Sequence, residues 1–197
     1  MYKVVGTVTS RAFRVLWMLE ELGAPYELIE AEARSATIAA VNPAGKIPAL
    51  IEGDHVLTDS TAIITYLGDK HGALTHPAGT IERAQQDALL NTVLDEIDAA
   101  LWTVSRFSRV LPEEFRNDAM LPGLAWEFER NLGRLSDRLQ GPCLQGETFT
   151  IADIVLVHCL GWAISVGFPK PDNKLRSYAR DMRERPAFAR ARAAKAG

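Results

Sequence analysis

The stretch from Asn42 to Leu50 constrains this chain most, because two prolines and a glycine run directly into apolar residues. Its sequence is Asn42-Pro43-Ala44-Gly45-Lys46-Ile47-Pro48-Ala49-Leu50. Proline lacks a backbone N–H and cannot donate to a sheet ladder, so we expect Pro48 at the first residue of a strand. A cis bond before Pro48 would turn the Ile47 N–H and C=O outward, where an extended peptide can pair with them. A purely structural loop explains the stretch equally well.

The residues around this loop predict a strand-helix-strand unit followed by a hairpin and a helix. The predicted strands cover residues 2–6, 26–29, 49–52 and 55–58, with helices from Ala12 to Leu22, where Gly23 stops the run, and from Ser60 to His71. In the first helix Arg14, Glu20 and Glu21 are expected to face away from the core. In the second helix the expected inward stripe is Ala62, Ile63, Tyr66 and Leu67. This half of the chain is therefore predicted as α/β, in the order βαβ then ββα.

The remainder of the chain is predicted to be helical. Residues 72–79 carry no periodicity, and we place a domain boundary there. A first long helix has an apolar face comprising Leu90, Val93, Leu94, Ile97, Leu101 and Val104. A polar stripe beside this face holds Asn91, Asp95, Asp98 and Trp102. A second helix is predicted from about Asn117 to Gln140.

A capping box opens a further, very apolar helix. In Phe149-Thr150-Ile151-Ala152-Asp153-Ile154, Thr150 can cap the helix, Asp153 can reach back to the Thr150 amide, and Phe149 can pack on Ile154. The helix that follows is apolar on nearly every side, which predicts the buried centre of an all-α domain. We interpret this motif as a folding signal rather than a catalytic one.

Composition narrows the function classes. A net charge of −3 gives no electrostatic reason to bind nucleic acid or an anionic membrane. The C-terminal basic residues are expected to form a solvated helix face; they are Arg176, Arg180, Arg183, Arg185, Arg190, Arg192 and Lys195. No apolar run is long enough to cross a bilayer, and the two cysteines, far apart, suit buried thiols in a reducing compartment. We expect a cytoplasmic protein with no metal site.

Three motifs in order resemble the glutathione S-transferase family. They are Ser10-Arg11-Ala12-Phe13-Arg14-Val15-Leu16-Trp17, the proline loop with Gly53-Asp54 and Thr58-Asp59-Ser60, and Phe149-Thr150-Ile151-Ala152-Asp153. The resemblance covers essentially the whole chain. It implies a thioredoxin-like, glutathione-binding domain at residues 1–76 and an all-helical bundle at residues 77–197 that contributes the electrophile site and dimer contacts. It also implies glutathione as co-substrate.

In this family the reactive atom is the cysteine sulfur of glutathione, which the protein must ionise. A free thiol has a pKa of about 8.5, and lowering it by about two units requires roughly 2.7 kcal/mol of preferential binding to the anion. One donated hydroxyl supplies ~1.5 to 3 kcal/mol, and a helix N-terminus ~0.3 to 1 kcal/mol. Ser10 is the expected catalytic hydroxyl because serine-type members resemble this chain with the serine four positions before Arg14. Thr9 remains an alternative, and a plain N-cap is the structural interpretation of Ser10.

The resemblance also suggests residues for the rest of the two substrates. Ile47 and Pro48 would dock the peptide backbone of glutathione, Asp59 its amine, Ser60 one carboxylate and Lys46 the other. The presence of Asp59 and Ser60 is explained equally well by helix capping. Lys46 is equally well explained as a solvated lysine on a turn. The electrophile is expected between the domains, against Val8, Arg11, Trp102, Ser105 and Phe107, although aromatics at helical spacing are more often core.

The expected function is transfer of the glutathione thiolate to small hydrophobic electrophiles, a detoxification reaction. A glutathione-dependent isomerase or dehalogenase shares every motif, and a glutathione-binding protein without turnover is the alternative from another class. The resemblance and the polar stripe imply a homodimer. An acidic residue, among Asp95, Glu96 and Asp98, is expected to reach the glutathione amine of the neighbouring subunit.

Overall fold

The computed structural model describes residues 1–196, which form two compact units. The first unit comprises Met1–Ala78 together with the segment that begins at Arg183, and the second comprises Gly79–Met182. The sequence interpretation placed the division at residue 76 and assigned every later residue to the helical domain. The first unit differs from that interpretation because it also includes the C-terminal segment that begins at Arg183.

A mixed four-stranded sheet lies at the centre of the first unit. Its strands are β1 (Tyr2–Gly6), β2 (Tyr26–Glu30), β3 (Ala49–Glu52) and β4 (His55–Thr58). They stand in the order β2-β1-β3-β4, with β1 parallel to β2 and antiparallel to β3, and β3 antiparallel to β4. Two helices lie between strands in the sequence, α1 (Ala12–Leu22) and α2 (Ala36–Ala39), and α3 (Ser60–His71) follows β4. This element order confirms the predicted thioredoxin-like α/β arrangement.

Helix α9 (Pro186–Arg192) joins the first unit by packing on α1. The ring of Phe188 meets Phe13 edge-on, with 5.1 Å between ring centroids, and meets Trp17 in the same way at 4.9 Å. Such edge-to-face pairs add to the stabilisation that burial alone gives. The aromatic contacts explain why a segment so late in the sequence groups with the N-terminal unit.

Ion pairs fasten the same two helices. The Arg185 Nε lies 2.6 Å from an oxygen of Glu21, and the Arg190 Nε lies 2.6 Å from an oxygen of Glu20. Arg190 remains exposed as expected and Arg185 is half-buried, but α1 supplies both with ion-pair partners that are distant in sequence.

The expected orientation of Arg14 is also wrong. Its side chain is only 1% exposed, and its Nη1 donates to the Ser60 Oγ at 3.3 Å. Helix α1 contacts α3 as well as α9 and the sheet, so few of its positions reach solvent. A charge-based assignment of the outer face fails for a helix covered in this way.

The inward face of α3 is turned from the one expected. Its buried residues are Ser60, Ile63, Ile64, Leu67 and Gly68. Ala62 and Tyr66, which were expected inside, are exposed. Ile63 and Leu67 were therefore predicted correctly, and the buried Ser60, whose hydroxyl accepts from Arg14, was missed because it carries no hydrophobic signal.

The second unit is helical throughout its regular structure, which confirms the predicted all-α half. Its elements are α4 (Ile81–Thr92), a π-helical segment Val93–Asp98, α5 (Ala99–Ser105), a second π-helical segment Arg106–Val110, a 3₁₀ turn Glu113–Phe115, α6 (Leu121–Arg138), α7 (Ile151–Ser165) and α8 (Asn173–Arg183). Helix α6 begins later than predicted, because Asn117 belongs to a turn in which its Oδ1 accepts from the Ala119 amide at 2.9 Å.

The capping box at the start of α7 is confirmed. The Thr150 Oγ1 accepts from the Ala152 amide, and the Thr150 amide donates to Asp153 at 2.8 Å. Asp153 also accepts from the Leu144 amide and from the Tyr178 hydroxyl, each at 2.8 Å. Burial raises the pKa of the Asp153 carboxyl, while these donors pull it the other way. The box therefore connects α7 to the preceding turn and to α8.

Candidate active site

Three segments of the first unit converge at Gly6, the last residue of β1. A Cβ added to Gly6 would lie 2.7 Å from the Cβ of Ala12, at the start of α1, and 3.5 Å from the Cβ of Ile47 in the proline loop. Gly6 also has a φ of +155°, which residues with a side chain rarely adopt. Glycine here allows the end of the strand, the start of the helix and the proline loop to meet.

The Thr7–Ser10 turn connects β1 to α1 and holds both hydroxyls that the sequence singled out. The Ser10 amide and the Ser10 Oγ both donate to the Thr7 carbonyl, at 3.1 and 2.8 Å. The Ser10 Oγ also accepts from the Ala12 amide at 3.1 Å. Ser10 is half-buried, and its hydroxyl proton is directed at a backbone carbonyl of its own turn. Ser10 stands one residue before Arg11, the N-cap residue of α1, so its local bonds resemble the plain cap that sequence analysis offered as the structural interpretation without being at that position.

Thr9 is held more loosely than Ser10. It is exposed, and its Oγ1 lies 3.2 Å from the Oγ1 of the buried Thr7. Either hydroxyl of this pair can be the donor. Both candidate hydroxyls are therefore in the same short turn, and they differ in exposure and in the partner that each must release before it can donate to a ligand.

The proline loop is shaped by Asn42, a residue to which the sequence gave no separate role. Its Nδ2 donates to the Lys46 carbonyl at 2.8 Å, and its Oδ1 accepts from the Ala44 amide at 3.2 Å. The Ile47–Pro48 peptide bond that follows is cis. Pro48 is buried, Ile47 is half-buried and the Lys46 side chain is exposed. The Asn-Pro dipeptide is a known turn signal and could have identified Asn42 from the sequence.

Asp59 and Ser60 stand together at the start of α3. The Asp59 Oδ1 caps the helix by accepting from the amides of Thr61 at 2.8 Å and Ala62 at 3.1 Å. Asp59 has a φ of 68°, which is unusual for a residue other than glycine. The hydroxyl of Ser60 points inward, where Arg14 donates to it. The structure therefore places the guanidinium of Arg14, a residue that sequence reasoning assigned to solvent, directly behind this helix start.

Comparison with known proteins gives the family. Residues 10–70 match the family model of the glutathione S-transferase N-terminal domain. The glutathione S-transferase GstA of Escherichia coli O157:H7 is 30% identical over 152 residues, which are 75% of this chain and 72% of that protein. The chain belongs to the glutathione S-transferase family. This confirms the resemblance drawn from the three motifs, and the family is one of enzymes.

Theta-class glutathione S-transferases are among the relatives. Human glutathione S-transferase theta-1 is 34% identical over 158 residues, which are 73% of this chain but only 65% of the human protein. The theta-class glutathione S-transferase of Xanthomonas axonopodis pv. citri was solved with glutathione bound. It superposes on this chain with a TM-score of 0.80 at 25% sequence identity, and the match covers 100% of this chain and 99% of that one. The match extends over both units, so the helical half is also that of a glutathione transferase.

The residues suggested for the electrophile fall in both units of this transferase. In the first unit, Val8 is half-buried in the turn after β1 and Arg11 is the N-cap residue of α1. In the second unit, Trp102 and Ser105 lie in α5 and Phe107 lies in the π-helical segment that follows. The guanidinium carbon of Arg106 lies 5.9 Å from the centroid of the Trp102 ring and 5.6 Å from that of the Phe107 ring.

One of the three acidic residues expected to reach a neighbouring subunit lies inside the helical unit. Asp98 is 7% exposed, and its Oδ2 accepts from the thiol of Cys159 at 3.6 Å. It is therefore not part of an outward polar stripe. The cause is the π-helical segment Val93–Asp98, which alters the helical phase on which the stripe was drawn. Asp95 is exposed and Glu96 is half-buried.

Within residues 1–196 no helix is both long and apolar enough to cross a membrane. In the same residues no three side chains of His, Cys, Asp or Glu are grouped as metal ligands would be.

Proposed function

We propose that this family member is a cytoplasmic, homodimeric glutathione transferase that ionises the thiol of glutathione and directs it at small hydrophobic electrophiles. The observation that supports the proposal most is the meeting, at Gly6, of the turn bearing Ser10 with the proline loop. A hydroxyl donor and an outward-facing backbone segment at one place suit a peptide thiol. The glutathione-bound Xanthomonas structure supports glutathione as the co-substrate.

The proline loop and the start of α3 have the groups needed to hold the tripeptide. The backbone of Ile47 would pair with the glutathione cysteine, and Lys46 would face a carboxylate. The start of α3, with Ser60 and the Arg14 charge behind it, favours the other carboxylate, since helix N-termini attract anions. Asp59 uses only its Oδ1 for capping, and its second oxygen would pair with the glutathione amine.

The thiolate would be stabilised when the Ser10 hydroxyl changes its partner. In the structure its proton points at the Thr7 carbonyl, and a rotation about the Cβ–Oγ bond would direct it at the sulfur while the oxygen keeps its bond from the Ala12 amide. A hydrogen bond to the anion contributes about 1.5 to 3 kcal/mol, whereas the released carbonyl still accepts from the Ser10 amide. The thiol proton leaves to solvent, the thiolate sulfur gives an electron pair to the electrophilic carbon to form a C–S bond, and the leaving group on that carbon departs with the electron pair of the bond that breaks.

Glutathione binding without turnover is the second candidate function. The observation that favours it is the same Ser10 hydroxyl, which is already satisfied by the Thr7 carbonyl and the Ala12 amide as a plain cap would be. The two functions differ in one measurable property, the ionisation of bound glutathione.

The experiment that decides between them is a pH titration of the ultraviolet absorbance of the glutathione thiolate bound to the protein. It is made on the wild type, Ser10→Ala and Thr9→Ala, with binding checked by calorimetry. If Ser10 is the donor, Ser10→Ala raises the pKa of the bound thiol by about one to two units and Thr9→Ala does not. If the wild-type bound thiol titrates as free glutathione does, the transferase mechanism is wrong and the binding function replaces it.

A further inference from the structure

Strand β2 lies at one edge of the sheet and, in the part of the chain that the structure describes, pairs with β1 alone. At its two ends the Pro25 carbonyl accepts from the Tyr2 amide at 3.4 Å, and the Ala31 amide donates to the Gly6 carbonyl at 3.3 Å. Backbone groups alternate in direction along a strand, so every second residue of β2 points its amide and carbonyl away from β1. These residues are Tyr26, Leu28 and Glu30. No hydrogen bond within residues 1–196 uses their outward backbone groups, which leaves a template for a further strand.

A cavity of about 580 Å³ adjoins the start of this edge. All its lining residues belong to the first unit. They include residues 23–25, just before β2, as well as the first three residues of the strand itself. A chain paired with β2 would therefore run into the cavity at this end. The apolar part of the lining comprises Leu19, Ala24, Pro25, Leu28 and Ala194.

Charges of both signs line the cavity, but its acids already have partners. The Glu20 carboxylate pairs with the Arg190 Nε at 2.6 Å, and the Glu27 carboxylate lies 3.5 Å from the Lys3 Nζ. Lys195 forms no ion pair with an acid among residues 1–196. Arg190 donates through its Nε and Nη2 and has no acceptor for its Nη1 in the same residues. The cavity can therefore receive an anionic group.

The opposite end of β2 carries negative charge. Glu30 and Glu32 are exposed, and neither forms an ion pair within the described residues 1–196. The edge is therefore cationic where β2 begins and acidic where β2 ends. A partner strand with the complementary charges would have its negative end beside the start of β2, and that requirement fixes its direction.

We propose that the open edge of β2 binds the C-terminal peptide of a partner protein as an added antiparallel strand. The free carboxylate of the peptide would face Lys195 and Arg190, its apolar side chains would face the cavity, and a basic side chain would lie opposite Glu30. In this mode main-chain hydrogen bonds provide affinity, and alternate side chains provide specificity. The inference goes beyond the proposed function and uses none of the residues of the candidate active site.

A synthetic peptide, Lys-Thr-Val-Thr-Val-Ser with a free C-terminal carboxylate, tests the inference. It is labelled with fluorescein at its N-terminus, and its Kd is measured by fluorescence anisotropy. In the proposed register its lysine lies opposite Glu30, and its two valines lie opposite Leu28 and Tyr26. The same peptide ending in an amide is the control. We expect the acid to bind wild type about tenfold more tightly than the amide, because the amide loses a charge-assisted hydrogen bond.

Substitution of Lys195 tests the recognition of the carboxylate. Lys195→Gln is expected to remove most of the preference for the acid over the amide. Arg192→Gln is the matched control, because Arg192 is an exposed cation of the same C-terminal segment and does not line the cavity. Its preference should stay within about twofold of wild type, since exposed charges act weakly at a distance.

Methylation of single peptide amides tests the strand pairing without changing the protein. In the proposed register the amide of the first valine donates to the Leu28 carbonyl, whereas the amide of the threonine after it points away from β2. We expect N-methylation of that valine to weaken binding at least about tenfold, since a hydrogen bond is lost and the methyl group separates the strands. N-methylation of the threonine should weaken binding by less than about threefold.

Several results would overturn this inference while leaving the proposed function, which is tested by thiolate formation, unaffected. They are no saturable binding of the acid, equal Kd values for acid and amide, an unchanged preference in Lys195→Gln, and equal effects of the two methylations. Displacement of the peptide by glutathione would place it in the candidate active site and also overturn the inference. Dissociation of a protein oligomer on adding the peptide would mean that a second copy of this chain occupies the edge, with the same consequence.

Discussion

The starts of α7 and α1 both carry a hydroxyl residue, and they hold it very differently. At α7 the fully buried Thr150 belongs to a closed network with Asp153, whose carboxylate accepts from three separate parts of the second unit. At α1 the half-buried Ser10 contacts only its own turn, through the Thr7 carbonyl and the Ala12 amide. A hydroxyl in a closed network stabilises the fold, whereas one with two local partners can exchange one of them for a ligand.

The largest expected effect is on the closed network. Asp153→Ala would leave the Tyr178 hydroxyl and two backbone amides buried without an acceptor, and each such group destabilises by about 1 to 3 kcal/mol. We expect the free energy of unfolding, measured in urea, to fall by about 3 to 5 kcal/mol. Asp137→Ala, at an exposed position of α6, is the control and should change it by less than about 0.5 kcal/mol. If both substitutions changed the free energy of unfolding equally, the Asp153 network would add no more to stability than an exposed carboxylate does.

The second largest effect is expected at the start of α1, where it should appear in activity more than in stability. Ser10→Ala is expected to lower kcat/KM for glutathione conjugation about ten- to hundredfold, because the donor to the thiolate is lost. Losing the cap should lower the free energy of unfolding by only about 0.5 to 1 kcal/mol. Thr9→Ala serves as the neighbouring control. A variant that loses stability but keeps its rate would show that Ser10 is a cap and nothing more.

A third helix start, at α3, allows capping and binding to be separated at one residue. Asp59→Asn keeps an oxygen for the Thr61 and Ala62 amides but removes the charge, so stability should change by a few tenths of a kcal/mol at most. If Asp59 pairs with the glutathione amine, the Kd for glutathione should nonetheless rise about tenfold. Asp59→Ala should lose both properties. Calorimetry that finds the same Kd in wild type and Asp59→Asn would exclude the amine contact.

The smallest effect is expected at the start of α8, where Asp172 is exposed. Its pKa is lowered by the hydrogen bond from the Leu175 amide, at 2.9 Å, and by the bond from the Ser136 hydroxyl at 2.6 Å. A carboxyl whose pKa is lower in the folded state stabilises the fold above its unfolded pKa of about 3.9. That contribution is lost as the pH falls through the folded value.

Asp172→Asn tests this dependence, because asparagine can still cap the helix but does not titrate. Unfolding free energies of wild type and variant are compared from neutral pH down to about pH 3. The advantage of the wild type should shrink as the pH falls, and it should be small because the site is open to solvent. A constant difference across the range would mean that Asp172 does not contribute through its charge.

The comparison of helix starts also shows how far the sequence alone could go. The contacts of Thr150 with Ala152 and Asp153 were predicted, because they depend on residues two and three positions apart. The bonds from Leu144 and Tyr178 to the same carboxylate were not, because nothing in a local pattern specifies a partner 25 positions away. The order of strands and helices was likewise predictable, since hydrophobic periodicity is also a local property.

The candidate site was predictable in its segments but less so in its geometry. The proline loop, the Ser10 turn and the start of α3 were each identified. The role of Asn42 was missed, although its place before proline was a signal. Arg14 was assigned to solvent because a charge was assumed to mark the outer face. Asp98 was placed on a polar stripe because the π-helical segment that shifts the helical phase could not be foreseen. Such errors come from tertiary packing, which overrides what a periodic pattern predicts.

The grouping of α9 with the first unit has a consequence for synthesis of the chain on the ribosome. Domains generally fold in the order in which they emerge, and the sheet with its first three helices emerges early. The aromatic side chains of Phe13 and Trp17, however, pack against Phe188, which is translated after the whole helical unit. The N-terminal half must therefore wait with part of α1 uncovered until Phe188 has been translated. That interval is when a chaperone would have an apolar surface to bind.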